Sequence, residues 1–134
     1  MSNNLILLIA RILLSVIFIL AGVTKFGAID GNAQYIASVG LPAPTLLAWA
    51  AAIFETVAGL FILAGFLTRY TSLALAAFCV FTGFMFHYAP ADQMQMVMFM
   101  KNLAIAGGFL VLSLAGPGSI SVDARRGAAS PAFA

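Results

Sequence analysis

The chain has 134 residues, of which 63% are hydrophobic and 7% are charged, and its formal net charge is +2. A soluble domain carries about a quarter charged residues, and one of this size leaves roughly a third of its unfolded-chain surface exposed. Because this chain could not hide so much apolar surface from water, it is not a water-soluble domain. The few cations form no basic run with interleaved aromatics, which argues against a nucleic-acid partner. Composition therefore predicts an integral membrane protein that has the lipid bilayer as its partner.

The first apolar segment, Leu5–Phe26, is long enough to cross a bilayer, which takes about 20 residues. It lacks a basic start and exceeds the roughly 7–15 apolar residues of a signal peptide, so we expect it to be retained. Five of its residues recur at alternating steps of four and three, which is the spacing of one helix face. They are Arg11, Ser15, Phe18, Gly22 and Lys25. We expect this face to point into the protein.

A loop rich in Gly, Pro, Asp and Asn runs from Gly27 to Pro44, and its middle, Ala33–Val39, is compatible with a short interfacial helix. The second span, Pro44–Phe66, carries Glu55 among small residues that permit close helix approach. These small residues are Ala48, Ala51, Ala52 and Gly59. A tight turn is predicted at Leu67–Tyr70.

The third span, Thr71–Tyr88, and the fourth, Met96–Ala115, are near the short limit for crossing a bilayer, and a polar loop separates them. Cys79 is the lone cysteine, so it cannot form an intrachain disulfide, and we interpret it as a small buried hydrophobe. The lack of a C-x-x-C pair argues against a thiol–disulfide oxidoreductase. The predicted inward residues of the fourth span are Lys101, Ala104 and Gly108, with Asn102 adjacent.

Lipid offers no hydrogen bonds to the backbone, so each span must be a helix. The predicted fold is all-α, with residues 1–126 forming a single four-helix transmembrane domain and residues 127–134 a disordered tail. Cations usually lie on the cytoplasmic side. Arg69, Arg125 and Arg126 lie on the side of both termini, against Lys25 and Lys101 on the other, so we expect both termini to be cytoplasmic.

Ionisable side chains inside a span usually face the bundle interior or a cavity. At about 1.5 Å per residue, Glu55 lies near the middle of its span and Arg11 roughly 9 Å from the start of its own. Long side chains can close such a gap, so we expect these two residues to form a buried ion pair, with Lys101 or Lys25 on the other side of Glu55. A polar pocket is predicted in the outer half of the bundle. Its expected ligand-binding residues are Lys25, Glu55, His87, Lys101 and Asn102.

Each assignment has a structural alternative. The ion pair could serve only helix packing, Lys25 and Lys101 could extend to lipid head groups, and His87 could be an interfacial anchor. The protonation state of Glu55 stays open, because an isolated carboxyl at this depth would be neutral and a neighbouring cation would keep it charged. No ligand spacing typical of zinc or haem occurs, so no metal site is predicted and no catalytic residue is assigned.

A series of short sequence motifs follows one another along the four spans. They are Arg11, Ala21-Gly22-x-x-Lys25-Phe26, Gly40-Leu41-Pro42, Glu55-x-x-x-Gly59-Leu60, Gly65-x-x-Thr68-Arg69, Lys101-Asn102-Leu103, Gly107-Gly108 and the ending from Gly116 to Asp123. This order resembles the DoxX family of bacterial membrane proteins. The resemblance implies a four-helix bundle in the bacterial cytoplasmic membrane. Some members look like small subunits of membrane oxidoreductases, including a thiosulfate–quinone oxidoreductase, and others are linked to redox stress complexes.

Three function hypotheses follow. The first is a small subunit of a membrane redox complex that binds a quinone or similar amphipathic molecule, with Lys101 or His87 donating to a carbonyl oxygen. No cofactor is then covalently bound, and redox partner subunits supply the electrons. The second is a structural or assembly subunit whose charges only fix helix packing. The third is a small-solute transporter with Glu55 as a titrating group, which would need a homo-oligomer because four spans are few for a transport path.

Overall fold

The structure is a computed structural model that describes residues 2–127. Its elements in chain order are α1 (Asn3–Phe26), α2 (Ile29–Ser38), α3 (Pro44–Ala64), α4 (Thr68–Thr82) with a π-helical extension (Gly83–His87), α5 (Gln93–Ala115) and α6 (Val122–Arg125). The predicted disordered tail falls outside the described residues, apart from Gly127, which lies in a turn after α6.

Four helical stretches are long and apolar enough to cross a membrane: α1, α3, α4 with its π-helical extension, and α5. The described part of the chain contains no strand. The prediction of an all-α fold with four spanning helices is therefore confirmed. The loop after α1 contains a helix as expected, although α2 begins at Ile29, four residues before the predicted start.

A polar cap and a glycine cap place two helix ends away from their predicted positions. α5 begins at Gln93 because the Asp92 carboxylate accepts hydrogen bonds from the backbone N–H groups of Met94 and Gln95. α3 ends at Ala64, since Gly65 adopts a φ of +71°, which a residue with a Cβ rarely adopts. The predicted turn therefore lies earlier in the chain than expected, and α4 begins at Thr68.

The helices pack as two antiparallel pairs, α1 with α3 and α4 with α5. Glycines bring α1 and α3 together, because a Cβ at Gly22 would lie 2.6 Å from the backbone nitrogen of Thr56, and one at Gly59 would lie 3.0 Å from that of Ile19. The face of α1 predicted to point inward is the one buried. It consists of Arg11, Ser15, Phe18 and Gly22, with Lys25 half-buried at its end.

The bundle has two different ends. The end with both termini, the terminal end, contains the α3–α4 turn and α6, and a core of apolar side chains fills the bundle next to it. This core contains Phe18, Ala58, Ile62, Leu75, Ala76, Cys79, Ala106, Phe109 and Leu112. The opposite end, the α2 end, is partly covered by α2, which packs on α3 through Ala33, Ile36 and Ala48.

The predicted inward face of α5 needs a correction. Ala104 is exposed on the outside of the bundle, and the buried residues are Asn102, Ala106 and Phe109 together with others of the same face. Gly108 packs against α1, since a Cβ there would lie 3.3 Å from the Leu14 side chain, whereas a Cβ at Gly107 would meet nothing within 4 Å. Large side chains such as Phe109 fill much of the interior, and of the three residues predicted to point inward only Ala104 lies on the outside, while Lys101 and Gly108 are half-buried.

Candidate functional site

The charged residues inside the spans form two separate clusters. The first surrounds Arg11, whose side chain is only 1% exposed. Its guanidinium donates to the carbonyls of Ile62 (3.1 Å) and Leu63 (2.9 Å) in the last turn of α3. It also donates to the carbonyls of Pro117 (2.7 Å) and Ile120 (2.8 Å) in the C-terminal segment. Arg11 therefore satisfies the Leu63 carbonyl at the end of α3, is a second donor to the Ile62 carbonyl, which also accepts from the Gly65 N–H, and binds the C-terminal segment to the bundle.

Asp123 is the anion of this cluster and is also 1% exposed. Its carboxylate accepts from the backbone N–H groups of Leu67 and Thr68, each at 2.9 Å, and from the Thr68 hydroxyl at 2.8 Å. It thereby caps the start of α4, where a negative charge is favoured by the helix dipole, and its charge also acts on Arg11. Together these contacts hold α1, the end of α3, the start of α4 and the C-terminal segment against one another, which is a packing role.

The predicted ion pair between Arg11 and Glu55 is wrong. Glu55 pairs with Lys25, with 2.9 Å between Lys25 Nζ and Glu55 Oε2. The antiparallel arrangement of α1 and α3 explains the change, because it places Arg11 beside the end of α3 and the last turns of α1 beside its middle. Sequence depth alone could not supply this register. Asp123 was missed because it follows the last span, where polar residues are usually solvated.

The second cluster surrounds a cavity of about 900 Å³ at the α2 end of the bundle. All five residues predicted to bind a ligand line this cavity, and the structure brings them together from α1, α3, the π-helical extension and α5. They are Lys25, Glu55, His87, Lys101 and Asn102. Most of the remaining wall is apolar and includes Phe18, Phe54, Phe78, Phe81 and Phe86. Ligand pockets in proteins typically combine such walls with a few polar groups, at about 300–1,000 Å³.

The Lys25–Glu55 pair forms one polar wall of the cavity. The Lys25 side chain is 26% exposed and that of Glu55 is 7% exposed, so the carboxylate is the deeper partner. Glu55 Oε2 makes no hydrogen bond to the described residues apart from this ion pair. Lys25 lies in the last turn of α1, where a cation is also favoured by the helix dipole. The Lys25–Glu55 pair therefore places two charged side chains on the cavity wall and leaves the cavity open.

Lys101 is the unpaired charge of the cavity. It is half-buried, and among residues 2–127 it has no salt bridge and no side-chain hydrogen bond. Glu55, the carboxylate that lines the same cavity, is already paired with Lys25. The cavity therefore carries an excess positive charge and an ammonium group that can donate to a ligand.

His87 and Asn102 each hold a partner within the protein. His87 Nδ1 lies 2.8 Å from Gln95 Oε1, and a neutral ring that donates through Nδ1 keeps Nε2 as an acceptor. Asn102 Nδ2 donates to the Cys79 carbonyl and to the Thr82 hydroxyl, each at 3.1 Å, where α4 changes to its π-helical extension. The Asn102 amide nitrogen is thus committed to α4.

Two polar residues of α2 also line the cavity and were not predicted from the sequence. The Tyr35 hydroxyl donates to the Phe86 carbonyl at 3.0 Å, and their rings lie 5.2 Å apart, so α2 is joined to the end of the π-helical extension. Asn32 lies one turn earlier on α2. Their spacing on one face of a short helix was the available signal. Residues 2–127 contain no group of three or more His, Cys, Asp or Glu that could hold a metal ion.

Comparison with known proteins finds a family model and several related proteins that match this chain. The sequence model of the DoxX family matches residues 6–88. Inner membrane protein YqjF of Escherichia coli (strain K12) is 44% identical over 119 residues, which cover 87% of this chain and 88% of that protein. Inner membrane protein YphA of the same strain is 40% identical over 129 residues, covering 92% of each. "Putative oxidoreductase CatD" of Bacillus subtilis (strain 168) is 30% identical over 69 residues, covering 52% of this chain and 50% of that protein. No solved structure matches the chain.

Proposed function

The chain is an integral membrane protein of the DoxX family, and from this premise we propose that it binds a quinone or a similar amphipathic molecule in the cavity at the α2 end. In this proposal it acts as a small subunit of a membrane redox complex. The single observation that supports it is the cavity itself, which combines apolar walls with an unpaired Lys101 and the Lys25–Glu55 pair.

The residues of the cavity fit a quinone headgroup. A flat ring needs an apolar slot, which the phenylalanines of the wall can supply, and each ring carbonyl needs a hydrogen-bond donor. The Lys101 ammonium is the donor that lacks a partner among the described residues, while Asn102 has its amide nitrogen engaged. A bound quinone would supply a two-electron acceptor, with a partner subunit as the electron donor. Partial similarity to the protein named as an oxidoreductase supports this direction.

The structural alternative also has an observation in its favour. The Lys25–Glu55 pair already satisfies both charges, which is all that a packing role requires. Against this, a purely structural pair does not need an adjoining cavity of about 900 Å³. A transport path is less favoured, because the core next to the terminal end, including Ile62, Phe109 and Leu112, fills the bundle beyond the cavity.

We also propose the inner membrane as the location, as the names of the two E. coli relatives indicate for those proteins. Both termini would be cytoplasmic. Arg125 and Arg126 are exposed at the terminal end, while Lys25 is half-buried and engaged in an ion pair at the other. Lys101 is likewise half-buried, in the cavity at the α2 end, so the exposed cations of the terminal end favour its cytoplasmic placement. The cavity would then lie in the outer half of the membrane.

Quinone binding can be measured directly in nanodiscs. The amount of decylubiquinone retained by protein-containing nanodiscs is compared with the amount retained by protein-free nanodiscs of the same lipid, which corrects for partition into the bilayer. Lys101→Met is expected to weaken binding, because a hydrogen bond from a charged donor contributes about 1.5–3 kcal/mol, or roughly 10- to 150-fold in affinity. Lys101→Arg is expected to retain most of the affinity, since it keeps the charge and the donors.

Arg125→Met is the matched control, because it removes a cation from the exposed surface of the terminal end, remote from the cavity lining. It is expected to leave quinone retention unchanged. Equal retention by wild-type and protein-free nanodiscs would exclude quinone as the ligand. Equal affinities of wild type and Lys101→Met would exclude Lys101 as the group that binds it.

A further inference from the structure

A second, smaller groove runs along the outside of the bundle between α3 and α4. Its volume is about 610 Å³. It is lined by Ala50, Ile53, Phe54, Val57, Ala58, Phe61, Leu67, Tyr70, Thr71 and Ala74. No charged residue lines it, and Ile53, Val57 and Tyr70 are exposed on its rim, so it faces the lipid. Ala50 and Phe61 mark its length along α3, which is roughly 16 Å at 1.5 Å per residue.

The groove adjoins the cavity and shares part of its lining. Ala50, Phe54 and Ala74 line both, and the Phe54 ring lies 5.1 Å from that of Phe78, which lines the cavity. The gap lies between α3 and α4. These two helices pack more sparsely against each other than α1 packs against α3 or α4 against α5. Two alanines at the junction keep it wide.

Contacts close the cavity between α1 and α3, between α4 and α5, and towards the terminal end. Glycine contacts bring the backbones of α1 and α3 together at Gly22, and Asn102 joins α5 to α4. Towards the terminal end, the rings of Phe18 and Phe109 lie 5.6 Å apart within the core. The α3–α4 gap is thus the side on which an apolar groove leads directly from the cavity to the lipid.

We propose that this groove holds the apolar chain of the ligand whose headgroup occupies the cavity. The ligand is then a lipid with a polar or carbonyl-bearing head and a long hydrocarbon chain. Its head lies beside Lys25, Glu55 and Lys101, and its chain leaves between Ala50 and Ala74 and runs along α3 towards the terminal end. The inference deepens the proposed function and depends on it.

The physical role of the groove is space rather than hydrophobic attraction. Lipid tails are as apolar as the groove, so a chain gains no hydrophobic free energy by moving from the bilayer into it. The groove instead allows the head to reach the charged wall while the chain stays parallel to the acyl chains. Filling the groove with a side chain therefore forces the chain to repack, and overpacking of this kind opposes binding by about tenfold or more.

The experiment compares two probes, decylubiquinone and the same headgroup without a chain. Each is titrated into nanodiscs that contain wild type, Val57→Trp or Val111→Trp, with protein-free nanodiscs as the partition reference. Val57 lines the groove and not the cavity, whereas Val111 is exposed on α5 away from both, so the second variant is the matched control. Val57→Trp is expected to weaken decylubiquinone binding about tenfold and to leave the chainless probe unaffected.

A measurement on the wild-type protein gives a second test that needs no variant. A quinone whose chain ends in a photoreactive diazirine is bound and irradiated, and the labelled peptides are identified by mass spectrometry. Labelling is expected at Ile53–Phe61 and at Leu67–Thr71. Labelling spread evenly over exposed faces such as that of Val111 would overturn the inference.

The outcomes separate the two proposals. If both probes bind and Val57→Trp affects neither, the chain does not occupy the groove, while quinone binding in the cavity stands. If neither probe binds the wild type above the protein-free reference, the proposed function fails and the chain site is excluded with it.

Discussion

Replacement of Arg11 by methionine tests whether the first cluster holds the terminal end together. Arg11→Met keeps an unbranched apolar stem and removes a guanidinium that donates four hydrogen bonds to main-chain carbonyls. Hydrogen bonds to a charged group contribute about 1.5–3 kcal/mol each, so the four set an upper limit of roughly 6–12 kcal/mol. Relaxation of the C-terminal segment recovers part of this loss. We expect a decrease of about 3–5 kcal/mol in the free energy of unfolding, which is the range for disrupting a buried, hydrogen-bonded charge.

The assay is equilibrium unfolding in dodecylmaltoside micelles titrated with sodium dodecyl sulfate, followed by circular dichroism. Arg125→Met serves as the control, because Arg125 is exposed and its loss is expected to change stability by less than about 0.5 kcal/mol. Double-mutant cycles then identify the partner of Arg11. Coupling of about 0.5–3 kcal/mol is expected with Asp123→Asn, and additivity is expected with Glu55→Gln.

Two results would refute this reasoning. One is a loss in Arg11→Met no larger than that of the Arg125 control, which would mean that the four carbonyls are satisfied without the guanidinium. The other is a coupling of Arg11 to Glu55 larger than its coupling to Asp123, which would restore the ion pair first expected from the sequence.

Two further predictions concern packing and orientation. Gly22→Ala is expected to lower the free energy of unfolding by about 1–3 kcal/mol, because its Cβ would meet the backbone of α3. Gly107→Ala has open space beside it and is expected to be neutral or stabilising by about 0.5–1 kcal/mol. Both are measured in the same unfolding titration. In a Cys79→Ala background, a membrane-impermeant maleimide added to spheroplasts is expected to label Gly31→Cys at the α2 end, and to label Arg125→Cys only after permeabilisation. The reverse labelling pattern would invert the proposed orientation.

The residues that could be predicted were those governed by periodicity. The prediction for α1 was correct because ionisable residues within a span face the interior of the bundle. The period of the helix places Arg11 and Lys25 on the same face as Ser15, Phe18 and Gly22. The same reasoning collected Lys25, Glu55, His87, Lys101 and Asn102 into one region, where the structure places a cavity. Helical periodicity predicts which residues lie together, but it does not predict whether the cavity between them binds a ligand.

The choice of partners was not predictable in the same way. Arg11 and Glu55 are compatible with each other by depth, but the register of two antiparallel helices decides which side chains meet, and a glycine contact sets that register. Asp123 shows the second difficulty. It follows the last span by several residues, and only the fold of the segment after Gly116 brings it back to the start of α4.

The contacts of Arg11 join the earliest and latest parts of the chain. Two of its acceptors, the carbonyls of Pro117 and Ile120, follow it by 106 and 109 residues, so they leave the ribosome after all four spans have been made. A nascent or truncated chain that stops before Pro117 carries a guanidinium in its first span with only Ile62 and Leu63 to accept from it. Synthesis as far as Ile120 is thus what completes the set of acceptors around Arg11, which no chain that stops before Pro117 has.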